Sequence, residues 1–333
     1  MQKRRLGRNG PEVSALGLGC MGMSHLYGPA DDAESVATIH AAMEAGITYL
    51  DTGDFYGMGH NETVVRRAVE GRRDKAFIAV KFGALRDPSG AFIGYDARPI
   101  AVKNFLAYTL KRLGVDHIDL YMPARVDPAV PIEDTVGAIA DMIKAGYVRH
   151  LGLSEASAAT VRRAHAVHPV AALQIEYGLA SRGVEAEILP ALRELGVSVT
   201  AYGVLSRGLL SGRIKDASAL PKGDIRHHFP RFAKDNLAAN LRLVAALEAV
   251  ARDLGATPTQ LAFAWALSRG EDIVPLVGAR RRDQLAEALG ALELKLSAEH
   301  LRRIDAAVPA DAVAGARYAP PAMAQLDSEK RAG

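Results

Sequence analysis

The sequence has little of three things: cysteine, net charge and long apolar runs. Cys20 is the only cysteine among 333 residues, so no intrachain disulfide can form and no cysteine-based zinc cluster can be built. No apolar run approaches the ~20 residues that a membrane helix needs. The formal charge of +3 is small, and acids and bases are interspersed, so neither nucleic acid nor an anionic membrane is required as a partner. We therefore expect a soluble protein of a reducing compartment, the cytoplasm.

What the sequence does have is a regular alternation of strand-like and helix-like segments. Apolar residues between the strand-like runs follow helical spacing, as at Val36, Ile39 and Met43. Proline at helix starts, such as Pro99, and glycine after helix ends, such as Gly114, agree with these boundaries. Eight such units predict a closed parallel (β/α)8 barrel, a TIM barrel, that forms a single domain over residues 1–333. The predicted strands are 13–18, 47–50, 76–80, 117–122, 148–153, 171–176, 197–202 and 272–277.

An open, doubly wound sheet is the alternative architecture. Such a sheet carries a glycine-rich dinucleotide fingerprint between its first strand and the helix that follows directly. Here the glycine-rich stretch at 17–22 has no helix directly behind it, and this favours the barrel.

Three segments exceed the simple repeat. Asn9-Gly10 lies between two short strand-like runs and predicts an N-terminal β-hairpin, which we interpret as a lid over the closed bottom of the barrel. Residues 206–235 form a long basic loop after the seventh strand. The tail from about residue 309 is rich in alanine and proline, and we expect it to be irregular. Loops and tails of this kind usually lie at the active end of a barrel.

The stretch "DTGDFYG" at 51–57 is the first candidate for chemistry. Asp51 ends one predicted strand and Lys81 ends the next, so both side chains should face the mouth of the barrel. A cationic amine beside a phenol stabilises the phenolate and lowers the tyrosine pKa from about 10 toward working pH. Taken singly, each residue fits a polar strand end or a rim lysine. Together, Asp51, Lys81 and Tyr56 would make Tyr56 a usable general acid.

Eight longer motifs occur in one order along the chain. On these motifs, residues from about 3 to 308 resemble the aldo-keto reductases, and most of all bacterial NADPH-dependent members that reduce aldehydes and ketones to alcohols. The resemblance implies the same (β/α)8 barrel. The motifs are "LGLGCMG" (16–22), "DTGDFYGMGHNE" (51–62), "VKFG" (80–83), "RLGVDHIDLY" (112–121), "VDPAVPIEDT" (126–135), "GYVRHLGLSEAS" (146–157), "LQIEY" (173–177) and "AYGVLSRGLLSG" (201–212).

The resemblance also implies catalytic roles. Tyr56 would protonate the carbonyl oxygen as hydride arrives from the nicotinamide, Lys81 would lower the tyrosine pKa, and Asp51 would support Lys81 and contact the ribose. The family usually has a histidine immediately before "RVD", where this chain has Ala124. A methyl group can neither donate nor accept a hydrogen bond, and losing one donor to the substrate oxygen costs about 3 kcal/mol, roughly a hundredfold in rate.

Three explanations of Ala124 are open. In a natural subgroup with a roomier site, water, His60 or Arg125 would replace the imidazole. The alanine would otherwise be an engineered substitution that traps a complex, or the protein would bind its cofactor without catalysis.

The resemblance further implies a nicotinamide-nucleotide site. Gly203-Val204 stand where the family usually has Ser-Pro, and three consecutive arginines begin at Arg280. Arginine forks suit a 2′-phosphate, and like charges at a helix start need an anion, so we expect NADPH as the cofactor and not NADH. The implied cofactor-binding residues are Gly19, Met21, Ser154, Glu155, Gln174, Tyr202, Gly203, Leu205, Arg207, Gly208, Arg280, Arg281, Gln284 and Glu287.

The remaining polar residues give fewer leads. We expect no metal site, because His165 and His168 lack an evident carboxylate partner and Pro169 ends their helix. Glu155 and Glu176 would read as the carboxylate pair of a hydrolase, a second enzyme class. The partner of the main hypothesis is a small-molecule aldehyde or ketone, with candidate lining residues Ala124, Arg125, Tyr95 and Tyr318.

Overall fold

The computed structural model describes residues 1–330; residues 331–333, the end of the predicted domain, lie outside the described residues. Eight parallel strands close into a barrel, in the order β3, β4, β5, β8, β9, β10, β11, β12 and back to β3. The predicted (β/α)8 fold is therefore confirmed. The strands are β1 (Lys3–Arg5), β2 (Glu12–Ser14), β3 (Gly17–Gly19), β4 (Tyr49–Gly53), β5 (Phe77–Phe82), β6 (Ala84–Arg86), β7 (Phe92–Tyr95), β8 (Ile118–Pro123), β9 (Val148–Ser154), β10 (Val170–Glu176), β11 (Ser198–Tyr202) and β12 (Ile273–Val277).

Helices alternate with the barrel strands along the chain. Within residues 1–330, none combines the length and the apolar character needed to cross a membrane. The helices are α1 (Asp32–Glu44), α2 (His60–Val69), α3 (Pro99–Leu113), α4 (Ile132–Lys144), α5 (Ala158–Val167), α6 (Ile188–Leu195), α7 (Lys234–Asp253), α8 (Pro258–Ser268), α9 (Arg282–Leu289), α10 (Ala298–Ala307) and α11 (Pro320–Ala324).

Local chemistry sets the helix ends. The Asp31 side chain accepts a hydrogen bond from the backbone N–H of Glu34 and caps α1. Thr257 and Gln260 form a reciprocal capping box at the start of α8. Gly114 ends α3 with φ of 66°, a left-handed conformation that glycine adopts without steric cost. Each such cap contributes about 1 kcal/mol, so the boundaries agree with the sequence pattern.

The N-terminal hairpin closes the bottom of the barrel, as predicted. β1 and β2 pair antiparallel, and Leu6 and Val13 pack with the barrel residues Leu120 and Val274. The Arg4 guanidinium donates to backbone carbonyls in the segment that precedes and begins β12. The turn differs from the two-residue type that Asn9-Gly10 suggests: it is longer, and its left-handed residue is Gly7.

The first predicted strand, 13–18, is wrong as a single element. Val13 and Ser14 belong to β2 of the N-terminal hairpin, whereas Leu18 belongs to β3 of the barrel. Ser14 redirects the chain between them, because its hydroxyl donates to the carbonyl of Leu16 at 2.6 Å and accepts from the N–H of Thr48 at 2.9 Å. The barrel wall is tight at Gly17, where a Cβ atom would lie 2.6 Å from Leu276.

Three segments surround the carboxyl ends of the strands. They are the β6–β7 hairpin, the loop at 206–235, which contains several 3-10 turns, and the C-terminal tail. The tail is only partly irregular, because it contains α11 and is fixed to the loop after β9. The N–H of Ser328 donates to the carbonyl of Glu155 at 3.0 Å, and the N–H of Ser157 donates to Asp327 at 2.8 Å.

Candidate active site

Asp51 and Lys81 form a buried ion pair at the mouth of the barrel. Asp51 lies in β4 and Lys81 in β5, and the parallel register places the two side chains side by side. Lys81 Nζ lies 2.5 Å from Asp51 Oδ1, with the side chains 4% and 6% exposed. Gln174 of β10 donates to the same Asp51 oxygen at 2.7 Å. Burial lowers the pKa of Lys81, and the Asp51 carboxylate opposes that shift. The predicted pair is therefore present, with Gln174 as its third member.

Tyr56 lies next to this pair, in the turn that follows β4. Its ring centroid is 5.2 Å from Lys81 Nζ, and Phe55 packs edge-on against the ring at 4.8 Å. Burial raises the pKa of Tyr56 well above its ordinary value, and the Asp51 charge raises it further. This direction is opposite to the expected lowering by Lys81, because Asp51 neutralises the amine while desolvation penalises the phenolate. At neutral pH the phenol therefore keeps its proton.

A buried hydroxyl without a partner marks the expected nicotinamide position. Ser154 ends β9, and its Oγ is buried with no hydrogen-bond partner within residues 1–330. Unsatisfied buried polar atoms are costly, so this oxygen fits a group that hydrogen-bonds to it, such as the carboxamide of a nicotinamide. Gly19 ends β3 on the opposite side of the mouth, and the half-buried Met21 follows in a 3-10 turn. The residues present therefore fit the implied nicotinamide nucleotide.

The loop after β11 has an unusual backbone. Gly203 has φ of 70°, and Ser206, Arg207 and Gly208 are also left-handed, with φ of 47°, 57° and 91°. Non-glycine residues in this region cost about 1 kcal/mol or more each, and Arg231 helps to hold the loop by donating to Ser206 Oγ at 2.9 Å. Backbone of this kind can turn N–H groups toward an anion; here the N–H groups of Ser206 and Gly208 donate within the loop, to the carbonyls of Gly203 and Leu205, so an anion would be bound by other N–H groups of the loop. The half-buried Leu205 lies within the same turn.

Glycine at position 203 has a local steric reason. A Cβ atom there would lie 2.8 Å from Cγ of Glu176, and the left-handed backbone would be strained for any other residue. The departure from the family's serine is therefore consistent with the placement of Glu176 in this chain.

Arg280 differs from Arg281 and Arg282 in having no carboxylate partner within residues 1–330. Its guanidinium donates to the carbonyl of Gly28 at 3.1 Å, and Gln284 accepts from its backbone N–H at 3.1 Å. Burial lowers the pKa of Arg280, and the neighbouring cations Arg281 and Arg226 lower it further. Positive charge at this position is therefore incompletely neutralised by the protein.

The expectation that the arginines at the start of α9 lack counter-ions is wrong for Arg281 and Arg282. Each has a carboxylate partner on the protein surface, which the sequence argument did not consider. Exposed pairs of this type contribute about 0–1 kcal/mol, so they leave the side chains able to exchange partners. Glu287, a predicted cofactor residue, is engaged in the same way. The pairs are Arg281–Asp283 at 2.9 Å, Arg282–Glu34 at 2.9 Å and Arg213–Glu287 at 2.6 Å.

Glu155 has protein partners in place of the predicted cofactor contact. Its carboxylate accepts hydrogen bonds from Arg317 at 2.5 and 2.9 Å, from Tyr202 at 2.7 Å and from Ser328 at 2.6 Å. Burial alone would raise the pKa of Glu155, but Arg317 outweighs it and the pKa falls to about 2. Glu155 is therefore an ionised anchor for the tail.

Glu176 is also occupied by arginines. Arg207 lies 3.2 Å and Arg231 3.0 Å from its two oxygens, and Ser181 donates at 2.7 Å. A hydrolase of the carboxylate-pair type needs one carboxyl group that is free to donate and one that is free to accept. Glu155 and Glu176 are both held as arginine-bound anions, so the structure gives this interpretation no support.

The candidate substrate residues lie after β8, at the end of β7 and in the tail. Ala124 follows β8, is 2% exposed and donates its N–H to the carbonyl of Phe82 at 2.8 Å. Arg125 donates to the Tyr318 hydroxyl at 3.2 Å. Tyr95 ends β7; burial raises its pKa, and the charge of Arg125 opposes that shift. The hydrogen bond between Arg125 and Tyr318 thus joins the loop after β8 to the tail.

His60 does not replace the missing imidazole. Its ring nitrogens pair with Asp32 at 3.1 Å and with Ser24 at 3.0 Å, at the start of α2. Of the two candidates from the sequence, Arg125 is the one whose charge acts on Tyr56, where it lowers the pKa against the effect of burial.

Several residues of the mouth were missed by the sequence argument. The Arg207 guanidinium lies over the rings of Phe229 at 3.9 Å and Tyr318 at 4.6 Å, and these two rings also contact each other. Tyr27 faces Arg226 at 5.2 Å, and burial raises its pKa to about 12. The basic character of the 206–235 loop was the available signal, but it did not single out residues. The missed residues are Tyr27, Arg226, Phe229, Arg231 and Arg317.

Comparison with known proteins agrees with the fold. The model of the Aldo/keto reductase family matches residues 15–309, and this chain belongs to that family. A probable aldo-keto reductase 1 of Glycine max is 42% identical over 320 residues, covering 96% of this chain and 92% of that protein. The NADP(+)-designated aldo-keto reductase yakc of Schizosaccharomyces pombe is 39% identical over 328 residues, covering 97% of this chain and 96% of that protein. The protein is thus an oxidoreductase of the aldo-keto reductase type.

Solved structures give the same result. The glycerol dehydrogenase AKR11B4 from Gluconobacter oxydans has a TM-score of 0.83 and 30% identity, covering 92% of this chain and 94% of that one. The holo form of the aldo-keto reductase AKR11C1 from Bacillus halodurans has a TM-score of 0.75 and 27% identity, covering 93% of this chain and 97% of that one.

Proposed function

We propose that this protein reduces an aldehyde or ketone to the alcohol with NADPH, and that Tyr56 protonates the carbonyl oxygen. The observation that carries the proposal is the side-by-side placement of Tyr56 and the buried Lys81–Asp51 pair at the mouth of the barrel. The raised pKa keeps the phenol protonated at neutral pH but also makes it a weaker acid, so proton donation depends on the cations beside it.

The residues around Tyr56 have different roles in this reaction. Asp51 holds Lys81 by the ion pair and is itself fixed by Gln174, so the amine is kept beside the phenol ring. As Tyr56 gives up its proton, the nearby ammonium and the Arg125 guanidinium stabilise the phenolate that forms. The buried walls around Tyr56 exclude water, which strengthens each of these interactions.

NADPH supplies the hydride when it is bound. Ser154 would hold its carboxamide, Tyr202 would stack on its ring, and the left-handed loop from Gly203 to Gly208 would hold its pyrophosphate. Arg280 would hold the 2′-phosphate, since it is the arginine in its cluster with no carboxylate partner within residues 1–330. The name of the S. pombe relative supports NADP(H).

A non-catalytic nucleotide-binding protein on the same fold is the second candidate, and Ala124 favours it. Binding alone would not need Tyr56, Lys81 and Asp51 together. With no histidine at position 124, we expect slower turnover than a full set of groups would give, by about a hundredfold. We also propose that the whole chain acts as one domain, since the hairpin and the tail both bond to the barrel.

Oxidation of NADPH, followed against a panel of aldehydes and ketones with NADH in parallel, tests the proposal. Turnover that depends on both NADPH and a carbonyl compound supports it. Tight NADPH binding with no turnover on any member of the panel would instead favour the binding protein.

A further inference from the structure

Arg125 differs from most of the arginines at the mouth of the barrel. Among residues 1–330, no carboxylate oxygen lies within 4.0 Å of its guanidinium nitrogens. The side chain is half-buried and its Nε is fully buried. A cation withdrawn from water without a counter-ion is unfavourable, so an anion that is not part of the chain would complete this site. Arg280, on the side expected to hold the nucleotide, also lacks a carboxylate partner in the described residues. Three other arginines have one: Arg207–Glu176 at 3.2 Å, Arg231–Glu176 at 3.0 Å and Arg317–Glu155 at 2.5 Å.

The hydrogen bonds of Arg125 leave donors unused. One terminal nitrogen donates to the carbonyl of Ala124 at 2.6 Å, and the other donates to the Tyr318 hydroxyl at 3.2 Å. Its Nε is buried and has no partner in the described part of the chain. Because a guanidinium carries five N–H donors, capacity for a ligand remains.

A directed chain of hydrogen bonds holds this guanidinium in place. Glu155 is ionised and only accepts, so the Tyr202 hydroxyl must donate to it, at 2.7 Å. The Tyr318 hydroxyl, 2.8 Å from that of Tyr202, must then donate to Tyr202 and accept from Arg125. Tyr318 is thus a positioning residue whose own proton is already committed. The charge of the Glu155 carboxylate acts on Arg125, but Glu155 is already ion-paired with Arg317.

The Arg125 guanidinium contacts Ala124 and Tyr318, two of the candidate substrate residues. The charge of Arg125 acts on Tyr56, Lys81 and Tyr95, whereas Arg207 and Arg280 serve the loops expected to hold the nucleotide. Ala124, beside Arg125, takes up less space than an imidazole would.

We infer that Arg125, positioned by Tyr318, forms an anion subsite beside Tyr56, and that the preferred substrate is a carbonyl compound carrying a carboxylate. The inference rests on the proposed function. A carboxylate matches the planar fork of a guanidinium, and the carbonyl group of the same molecule would face Tyr56. Ala124, in place of a histidine, would then leave room for the substrate, and the unpaired Arg125 would bind its carboxylate.

Paired substrates test the inference with the purified enzyme and NADPH. Two pairs with different spacing are 4-carboxybenzaldehyde with methyl 4-formylbenzoate, and pyruvate with methyl pyruvate. The measured quantity is the ratio of kcat/KM for the acid to that for its ester. We expect Arg125→Met to lower this ratio by about 10- to 100-fold on at least one pair, the range for a lost charge-assisted hydrogen bond, and Arg125→Lys and Tyr318→Phe to lower it less.

The control is Arg302→Met, which removes the same charge from a side chain that is 71% exposed on α10; its ratio should equal that of the wild type. Equal losses on acid and ester in Arg125→Met would mean that Arg125 acts on the carbonyl oxygen, and would overturn the subsite. The subsite would also be overturned if the wild-type ratio were near one on both pairs and Arg125→Met left it unchanged.

Calorimetric titration of benzoate and of pyruvate into the NADP+ complex is independent of turnover. We expect at least one to bind the wild type and to bind Arg125→Met about tenfold more weakly or worse. If no carbonyl compound is reduced but this loss is seen, the proposed function fails and the anion subsite stands. If the esters are reduced but neither acid binds through Arg125, only the subsite fails.

Discussion

The two ends of the barrel differ in the kind of residue that they bury. At the bottom, Leu6, Val13, Leu120 and Val274 are at most 1% exposed and belong to one hydrophobic cluster. At the mouth, the buried side chains include two ion-paired glutamates, three ion-paired arginines and the Lys81–Asp51 pair, and the half-buried Arg125 lies beside them. Apolar burial stabilises directly, whereas buried charges return little net stability after desolvation. The difference indicates that the bottom maintains the fold and that the mouth is kept for binding and chemistry.

Removing one partner of the pair at the mouth should have the largest effect. Lys81→Met leaves the Asp51 carboxylate buried without its counter-ion, and breaking such a pair costs about 3–5 kcal/mol of unfolding free energy. Turnover should fall by about a hundredfold or more, because the phenolate of Tyr56 loses its neighbouring cation. Urea unfolding and kcat are the measurements.

The matched control for that change is Lys103→Met. Its pair with Asp141, at 3.4 Å, is exposed, and such pairs contribute about 0–1 kcal/mol. If both variants lost the same stability, the contrast between buried and exposed pairs would not hold.

A cavity at the bottom should reduce stability without changing chemistry. Leu6→Ala should cost about 2–5 kcal/mol, the range for removing a buried leucine side chain, while kcat and KM stay at wild-type values below the unfolding transition. A changed KM for NADPH in this variant would show that the two ends are coupled.

The Glu155–Arg317 pair should give the tail an acid-dependent stability. The folded-state pKa of Glu155 is about 2, below the ordinary value near 4.3, so its contribution is present above that ordinary value and is lost as pH falls toward 2. We expect wild-type unfolding free energy to decline across this window. In Arg317→Met the decline should be smaller and the stability at neutral pH lower; identical pH profiles would contradict the assignment.

The smallest predicted effect is a difference in nucleotide preference between substitutions of the neighbouring Arg280 and Arg281. Arg280→Gln should lower the preference for NADPH over NADH by about tenfold, since a charge-assisted contact to phosphate is lost. Arg281→Gln, in which a side chain already paired with Asp283 is removed, should change it by less than about threefold. The ratio of kcat/KM for the two nucleotides is the readout, and the reverse order would move the phosphate to Arg281.

The sequence predicted the barrel and the centre of its mouth for a physical reason. Consecutive parallel strands bring their carboxyl ends together, so Asp51 and Lys81 are neighbours whenever the alternation of strands and helices is read correctly. Tyr56 follows within the same turn. These are consequences of local pattern and short connections, which a sequence displays.

What the sequence did not predict depends on pairing over long separations. The partner of Glu155 is Arg317, 162 residues further along the chain, and that of Arg282 is Glu34, 248 residues away. No local spacing encodes such pairs, and so Glu155 was assigned to the cofactor and Arg282 was considered unpaired. The pKa direction of Tyr56 was missed because it depends on how Asp51 neutralises Lys81 and on full burial of the ring.

The central claim is that the Tyr56 hydroxyl supplies the proton, and Tyr56→Phe tests it most directly. The measurement is the single-turnover rate of NADPH oxidation with a reducible aldehyde, together with the NADPH dissociation constant, and the control is Tyr108→Phe on a ring that is 59% exposed on α3. We predict a rate loss of about 10²- to 10⁴-fold in Tyr56→Phe, an unchanged dissociation constant, and no effect in the control. A Tyr56→Phe enzyme that oxidises NADPH at the wild-type rate would contradict the account.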